Sequence, residues 1–121
     1  VVDDYMTKRI VTADEQETVA DIAVMMGQRR IGSVIITRKG TPFGIFTERD
    51  LLSKFFAQGR SLDSPVGEDC SSPLITAPSG ISIHEAARVM TGRHVRRLPL
   101  SKKTGLAGII TARDLVEGYA A

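Results

Sequence analysis

An eight-residue stretch occurs twice in this chain and decides its fold. Residues 44–51 read Gly-Ile-Phe-Thr-Glu-Arg-Asp-Leu, and residues 108–115 read Gly-Ile-Ile-Thr-Ala-Arg-Asp-Leu. The shift of 64 residues that superimposes these blocks also aligns Met26 with Met90 and needs no gap anywhere. Because self-similarity at a fixed spacing is the signature of a structural repeat, the chain is predicted to hold two copies of one supersecondary unit.

Each copy begins with a pattern typical of a strand followed by a helix. A short apolar pair, Ile10-Val11 or Leu74-Ile75, predicts the first strand. A hydroxyl residue with a carboxylate three positions later follows, which is the pattern of a capping box at a helix start. Apolar residues then recur at helical spacing, so an amphipathic helix of about three turns is predicted in each copy. The capping pairs are Thr18 with Asp21 and Ser82 with Glu85.

The second half of each copy predicts a β-hairpin and another helix. In the first copy, the strands are expected at 33–37 and 42–46, with Lys39-Gly40 in the turn. In the second copy, they are expected at 97–100 and 106–110. The final helix starts near Thr47 or Thr111 and is predicted to bury its apolar residues, which are Leu51, Leu52, Phe55 and Phe56 in one copy and Leu115, Val116 and Tyr119 in the other.

These patterns predict a mixed α/β (α+β) fold built from two β-α-β-β-α repeats. The first repeat is assigned to residues 1–60 and the second to residues 61–121, with a polar linker at about 58–69. A unit of this size buries little apolar surface alone. We therefore expect the two repeats to pack into one compact module, related by a pseudo-two-fold axis with a cleft on it.

Composition restricts the class of protein. The chain has 121 residues, of which 42% are hydrophobic and 25% charged, with a net charge of +2. This balance is typical of a globular domain and does not favour a general nucleic-acid binder. The single cysteine, Cys70, favours a reducing, cytoplasmic compartment, and no metal-ligand spacing or membrane-spanning run is present. The chain starts at Val1 without a methionine, and whether it is a domain of a longer protein stays open at this stage.

The duplicated unit, with Gly-x-x-Thr-x-x-Asp at the junction of its last strand and last helix, resembles the CBS domain pair. The resemblance extends from about Met6 to Tyr119, and Arg97-Leu-Pro-Leu100 resembles the second strand typical of the family. The first copy departs there, with Ser33-Val-Ile-Ile36. The resemblance implies a site for AMP, ADP, ATP or S-adenosylmethionine between the copies, with no other cofactor required.

The family's pattern also implies which residues bind the ligand. The motif aspartate would accept hydrogen bonds from both ribose hydroxyls, and the opposite copy would complete each site. One site would contain Gly44, Thr47, Arg49, Asp50, Leu74, Ile75, Val95, Arg96 and Arg97. The other would contain Ile10, Val11, Ile31, Gly32, Ser33, Gly108, Thr111, Arg113 and Asp114.

Two of these features have simpler structural interpretations that stay open at this stage. Thr47-x-x-Asp50 is itself a capping box and needs no ligand. The basic residues Arg93, His94, Arg96 and Arg97 suit a helix end as well as a phosphate. Since the first copy has Gly32 and Ser33 where the second has Arg96 and Arg97, the two sites are expected to be unequal. The Asp50 site is expected to suit charged phosphates better, and the Asp114 site to prefer an adenosine-like or weakly charged ligand or to stay empty.

The sequence therefore predicts a regulatory nucleotide-binding module without catalytic activity. A homodimer formed through the apolar helix ends is expected, as is a regulated enzyme or transporter as partner. No membrane contact is expected, and nucleic acid is disfavoured as a partner. The alternative is a dimerisation or scaffolding module that binds no ligand and contacts nucleic acid through Arg93 to Arg97.

Overall fold

The computed structural model describes residues 1–120, which form two spatial units. The first-copy unit is Val11–Leu74, and the second-copy unit combines Val1–Ile10 with the chain from Ile75 onward. Each unit contains one three-stranded sheet, and in sequence one helix lies between its first two strands and another follows its last strand. The predicted mixed α/β class and the duplicated element order are confirmed.

In the first-copy unit, strand β1 (Thr12–Asp14) pairs in parallel with β2 (Ser33–Arg38), and β2 pairs antiparallel with β3 (Thr41–Thr47). Helix α1 (Val19–Arg29) connects β1 to β2, as a parallel crossover requires. The hairpin and its turn at Lys39-Gly40 are confirmed. Both turn residues have positive φ, 52° and 78°.

The second-copy unit repeats this arrangement. Strand β4 (Ala77–Pro78) pairs in parallel with β5 (Arg97–Lys102), which pairs antiparallel with β6 (Gly105–Thr111). Helix α3 (Ile83–Gly92) precedes β5, and α4 (Ala112–Ala120) follows β6. Registers match between the copies, since Ser33 lies opposite Thr47 and Arg97 opposite Thr111.

The last helix of the first copy is wound differently. Its first turn, α2 (Glu48–Asp50), continues as a π-helix over Leu51–Phe56, where the Ala57 amide donates to the Leu52 carbonyl at 2.8 Å. The equivalent α4 is a regular α-helix. The sequence did not predict this difference.

Three predictions about local structure need correction. The first strands begin later than predicted, at Thr12 and Ala77, because the parallel ladder is formed there and Ala13 and Ala77 supply the buried side chains. The capping box at α3 is complete, but at α1 only Thr18 accepts, from the Asp21 amide at 3.2 Å. Of the apolar residues in the last helices, Leu51 and Phe55 are buried and Leu115 is partly buried, whereas Leu52, Phe56, Val116 and Tyr119 are exposed.

The two spatial units do not coincide with the two sequence repeats, because each unit takes in the segment that precedes the other copy (the exchanged segment). Thr7 and Ile109 exchange two backbone hydrogen bonds of 2.9 Å, and Ser71 and Ile45 form the equivalent pair at 2.9 and 3.0 Å. Val2 and Val66 are fully buried in the cores of the second-copy and first-copy units. Each sheet is therefore completed by the segment that precedes the other copy in sequence.

Candidate functional site

The motif Thr47-x-x-Asp50 forms a closed corner where β3 ends and the last helix of the first copy begins. The Asp50 Oδ2 atom accepts from the Thr47 amide at 2.9 Å and from the Thr47 hydroxyl at 3.0 Å. The Thr47 Oγ1 atom accepts in turn from the Asp50 amide at 3.2 Å. The predicted capping box therefore exists, and it fixes the orientation of the carboxylate.

The other oxygen of Asp50 has a cationic partner. Lys54 Nζ lies 3.3 Å from Asp50 Oδ1 and donates to the Asp69 carbonyl at 2.9 Å. The Asp50 side chain is 14% exposed and that of Lys54 is 38% exposed. Lys54 was not among the predicted site residues, although its spacing of four residues from Asp50 is a known signal for a helical ion pair.

The second corner, Thr111–Asp114, has the same capping geometry without the lysine. Asp114 Oδ2 accepts from the Thr111 amide at 2.9 Å, and Thr111 Oγ1 accepts from the Asp114 amide at 3.1 Å. Within residues 1–120, Asp114 Oδ1 has no hydrogen-bonding or ionic partner. The position equivalent to Lys54 is Gly118, where an added Cβ would lie 2.9 Å from Tyr5 Cδ2.

The start of the central strand of each sheet, β2 or β5, lies beside the corner of the same copy. The Gly32 carbonyl accepts from the Glu48 amide at 3.0 Å, and the Arg96 carbonyl accepts from the Ala112 amide at 3.0 Å. Together with the register of Ser33 and Arg97, these bonds bring residues 32–33 to the first corner and residues 96–97 to the second. The structure thus joins each of these segments to the corner of its own copy, whereas the resemblance assigned them to the opposite one.

The residues predicted for each site are divided between the two units. Of the Asp50 set, the first-copy unit contains Gly44, Thr47, Arg49, Asp50 and Leu74, and the second-copy unit contains Ile75, Val95, Arg96 and Arg97. Of the Asp114 set, the second-copy unit contains Ile10, Gly108, Thr111, Arg113 and Asp114, and the first-copy unit contains Val11, Ile31, Gly32 and Ser33. The sharing of each site by both copies therefore stays a prediction.

The two motif glycines are accounted for by the exchanged segments. A Cβ on Gly44 would lie 2.7 Å from the Ser71 carbonyl oxygen and 2.8 Å from Cys70 Sγ. A Cβ on Gly108 would lie 2.6 Å from Met6 Sδ and 2.7 Å from the Thr7 carbonyl oxygen. The close approach predicted for a ligand is thus made by the chain itself, and these glycines give no separate support to a ligand.

The charged residues near the corners differ in their partners. Arg113 pairs with Glu117 at 3.4 Å on the exposed surface of α4. Arg93 is the C-cap residue that follows α3, and His94 comes next with φ of 56°, so the structure favours the helix-end interpretation for these two residues. Basic side chains outnumber acidic ones in the second-copy unit, and the reverse holds in the first-copy unit.

Cys70 packs against the core of the first-copy unit, as predicted for a small apolar role. Its Sγ donates to the Gly67 carbonyl at 3.7 Å, and burial raises the thiol pKa above its ordinary value of 9.0.

We expect this burial to slow alkylation of Cys70 by iodoacetamide at pH 8 relative to the urea-unfolded chain, because less thiolate is present. The raised pKa also means that the unfolded chain loses its proton first, so the free energy of unfolding should fall as the pH rises above about 9. A Cys70→Ala variant should lack the part of this decline that the thiol contributes. Equal alkylation rates for the native and unfolded chains would contradict the prediction.

Metal and membrane sites find no support in the part of the chain described. Residues 1–120 contain no group of three or more histidine, cysteine, aspartate or glutamate residues placed to hold a metal ion. No helix within them is both long and apolar enough to cross a membrane.

The fold and its two corners define a duplicated α/β module with one threonine–aspartate corner per copy. The CBS domain model matches residues 2–57 and again residues 66–121. The chain belongs to the CBS domain family.

Individual relatives agree with this assignment. An uncharacterized protein of Methanopyrus kandleri is 38% identical over 111 residues, covering 89% of this chain and 57% of that protein. The CBS domain-containing protein YhcV of Bacillus subtilis is 32% identical over 114 residues, covering 94% and 81%. The structure of the hexameric CBS-CP12 protein from bloom-forming cyanobacteria gives a TM-score of 0.87 at 27% identity, covering 96% and 70%. This chain thus spans little more than half of the archaeal relative.

Proposed function

We propose that this chain is a regulatory module that binds an adenosyl nucleotide (AMP, ADP, ATP or S-adenosylmethionine) in a cleft between its two copies. The observation that carries the proposal is the repeated corner. In both copies a threonine amide holds Oδ2 of the motif aspartate at 2.9 Å, at the same strand–helix junction. A carboxylate fixed in this way is suited to accept hydrogen bonds from a vicinal diol, as found in ribose.

The remaining contacts follow from the chemistry of a nucleotide. The apolar residues of the two predicted sites, the one with Asp50 and the one with Asp114, would contact adenine. Arginines would bind the phosphates through their planar fork of donors. Arg96 and Arg97 are the first candidates for phosphate, and Arg49 and Arg113, each next to a motif aspartate, are the second. These arginines would favour anionic ligands over free adenosine.

The module would act by ligand-dependent change of conformation and needs no catalytic group. A nucleotide that prefers one arrangement of the two copies shifts the population toward it by as much as its difference in affinity allows. That shift would be transmitted to a regulated enzyme or transporter in the cytoplasm. The two CBS matches cover nearly the whole chain.

Isothermal titration calorimetry with the four ligands tests this proposal, with GMP and GTP as controls for the base. We expect at least one adenosyl ligand to bind the wild type, without turnover. The Asp50→Ala and Asp114→Ala variants should each weaken binding at one site by about tenfold or more, since each removes charged hydrogen-bond acceptors. Absence of binding by all four ligands at millimolar concentration would overturn the proposal.

Exposed apolar side chains favour a second candidate function, ligand-independent dimerisation or scaffolding. Leu52 and Phe56 are 62% and 57% exposed, and Val116 and Tyr119 are 65% and 84% exposed. Such side chains on the last helices suit a homodimer interface. A dimer mass in sedimentation that no adenosyl ligand alters, together with salt-dependent binding of RNA or DNA, would favour this function over nucleotide sensing.

A further inference from the structure

Two pairs of equivalent positions are filled differently in the two copies. Positions 54 and 69 hold Lys54 and Asp69, and the equivalent positions 118 and 5 hold Gly118 and Tyr5. In the first-copy unit, Lys54 reaches the Asp69 carbonyl at 2.9 Å. In the second-copy unit, Gly118 packs directly on the Tyr5 ring and leaves no space for a side chain. In each copy the two residues of the pair fit each other: Lys54 bonds to Asp69, and Gly118 leaves room for the Tyr5 ring. The copies therefore differ at both positions of the pair together.

This difference determines how many acceptor atoms each motif aspartate has available. Asp50 uses Oδ2 for two bonds from Thr47 and Oδ1 for Lys54 at 3.3 Å. Asp114 uses Oδ2 for the Thr111 amide, and its Oδ1 has no partner within residues 1–120. A ribose hydroxyl can therefore approach Asp114 Oδ1 directly, whereas at Asp50 it must displace an ammonium group.

Contacts to both the side chain and the backbone of Lys54 fix its position. Its ammonium group bridges Asp50 and the Asp69 carbonyl, and its own backbone carbonyl accepts from Arg60 Nη1 at 3.3 Å. Arg60 also pairs with Asp69 at 3.2 Å and lies over the Phe55 ring at 4.5 Å. These contacts restrict Lys54 to the neighbourhood of Asp50 and so favour its competition with an incoming hydroxyl.

We propose that Lys54 is a specificity-determining residue that competes with ribose for Asp50, which makes Asp114 the stronger ribose acceptor of the two. This inference rests on the proposed function. It assigns the first adenosine bound to the Asp114 site and a second, weaker one to the Asp50 site. Lys54 keeps its bond to the Asp69 carbonyl when ribose takes its place on Asp50.

Calorimetry with adenosine tests the inference, because adenosine carries ribose without phosphate. We expect Asp50→Ala, which retains the second corner, to bind adenosine more tightly than Asp114→Ala, which retains the first. Adding Lys54→Met to Asp114→Ala should tighten binding by about fivefold, the effect of removing a partly exposed ion pair. Lys54→Gln provides a second neutral variant, and Lys54→Arg keeps the cation and should leave the affinity low.

Lys39→Met in the same Asp114→Ala background is the matched control. Lys39 lies in the turn between β2 and β3, so this variant removes a positive charge from the same unit away from Asp50. Its adenosine affinity should equal that of Asp114→Ala. A gain as large as that from Lys54→Met would show a general charge effect and overturn the inference.

The remaining outcomes separate the inference from the proposed function. Binding of adenosine that neither Lys54→Met nor Lys54→Gln tightens, or tighter binding by Asp114→Ala than by Asp50→Ala, overturns the inference alone. Binding of AMP or ATP without any binding of adenosine also overturns it, because recognition would then not depend mainly on the bonds between ribose and the two motif aspartates. Failure of adenosine, AMP, ADP, ATP and S-adenosylmethionine to bind any variant overturns the proposed function and the inference with it.

Discussion

Truncation of Phe55 to alanine is expected to lower the free energy of unfolding of the first-copy unit by about 3–5 kcal/mol. Phe55 is fully buried, and its ring packs edge-on against Phe46 with centroids 6.2 Å apart. The Arg60 guanidinium lies over the Phe55 ring, 4.5 Å from its centroid. The truncation therefore removes core packing, an aromatic pair and a cation–π contact together. Urea denaturation followed by circular dichroism measures the loss.

Phe56→Ala is the matched control for this prediction. Phe56 is the next residue in the same π-helix and is 57% exposed, so its truncation should change stability by about 0.5 kcal/mol or less. Equal losses for the two variants would contradict the burial of Phe55 and the exposure of Phe56.

Gly44→Ala is expected to cost about 2–3 kcal/mol, because the new methyl group overlaps the exchanged segment. It would lie 2.7 Å from a backbone oxygen of Ser71, which is held in place by two hydrogen bonds to Ile45. A backbone atom cannot move aside as the end of a flexible side chain can, so strand β3 or residues 70–71 must shift. The change in the thermal unfolding midpoint measures this cost.

Gly27→Ala should have the opposite sign. Gly27 lies within α1, and a Cβ there would meet no atom within 4 Å. Alanine in an unobstructed helical position stabilises by about 0.5–1 kcal/mol, since glycine loses more conformational freedom on folding. If Gly44→Ala were as stable as the wild type, the close pairing of residues 70–71 with β3 would be refuted.

The elements that could be predicted from the sequence are those formed by local contacts. Helices α1 and α3 were predicted from apolar spacing and capping residues, and the hairpin turn from Lys39-Gly40, because those signals act within a few residues. The corners at Thr47–Asp50 and Thr111–Asp114 were predicted for the same reason. The first strands, β1 and β4, were predicted too early in the sequence. They are only three and two residues long, which is too short to show an alternating apolar pattern.

The remaining features depend on contacts between residues distant in sequence. Val66 is a single apolar residue in polar surroundings, and Val2 follows only Val1 and precedes two aspartates, so no local pattern indicates that each is buried in a core. The π-helix has no recognisable sequence period of its own, and the burial of Phe55 within it depends on contacts with distant residues such as Phe46. Lys54 carried a usable signal in its spacing from Asp50, but its bond to Asp69 follows only from the fold.

Thermal unfolding of the wild type and the Asp50→Ala/Asp114→Ala double variant, with and without AMP, ADP, ATP or S-adenosylmethionine, tests the central claim most directly. A ligand at about 100 times its dissociation constant should stabilise the wild type by about 2.7 kcal/mol and raise its midpoint by several degrees. The same ligand should leave the midpoint of the double variant unchanged. An equal rise in both proteins, or no rise in either with any of the four ligands, would contradict nucleotide recognition by the two motif aspartates.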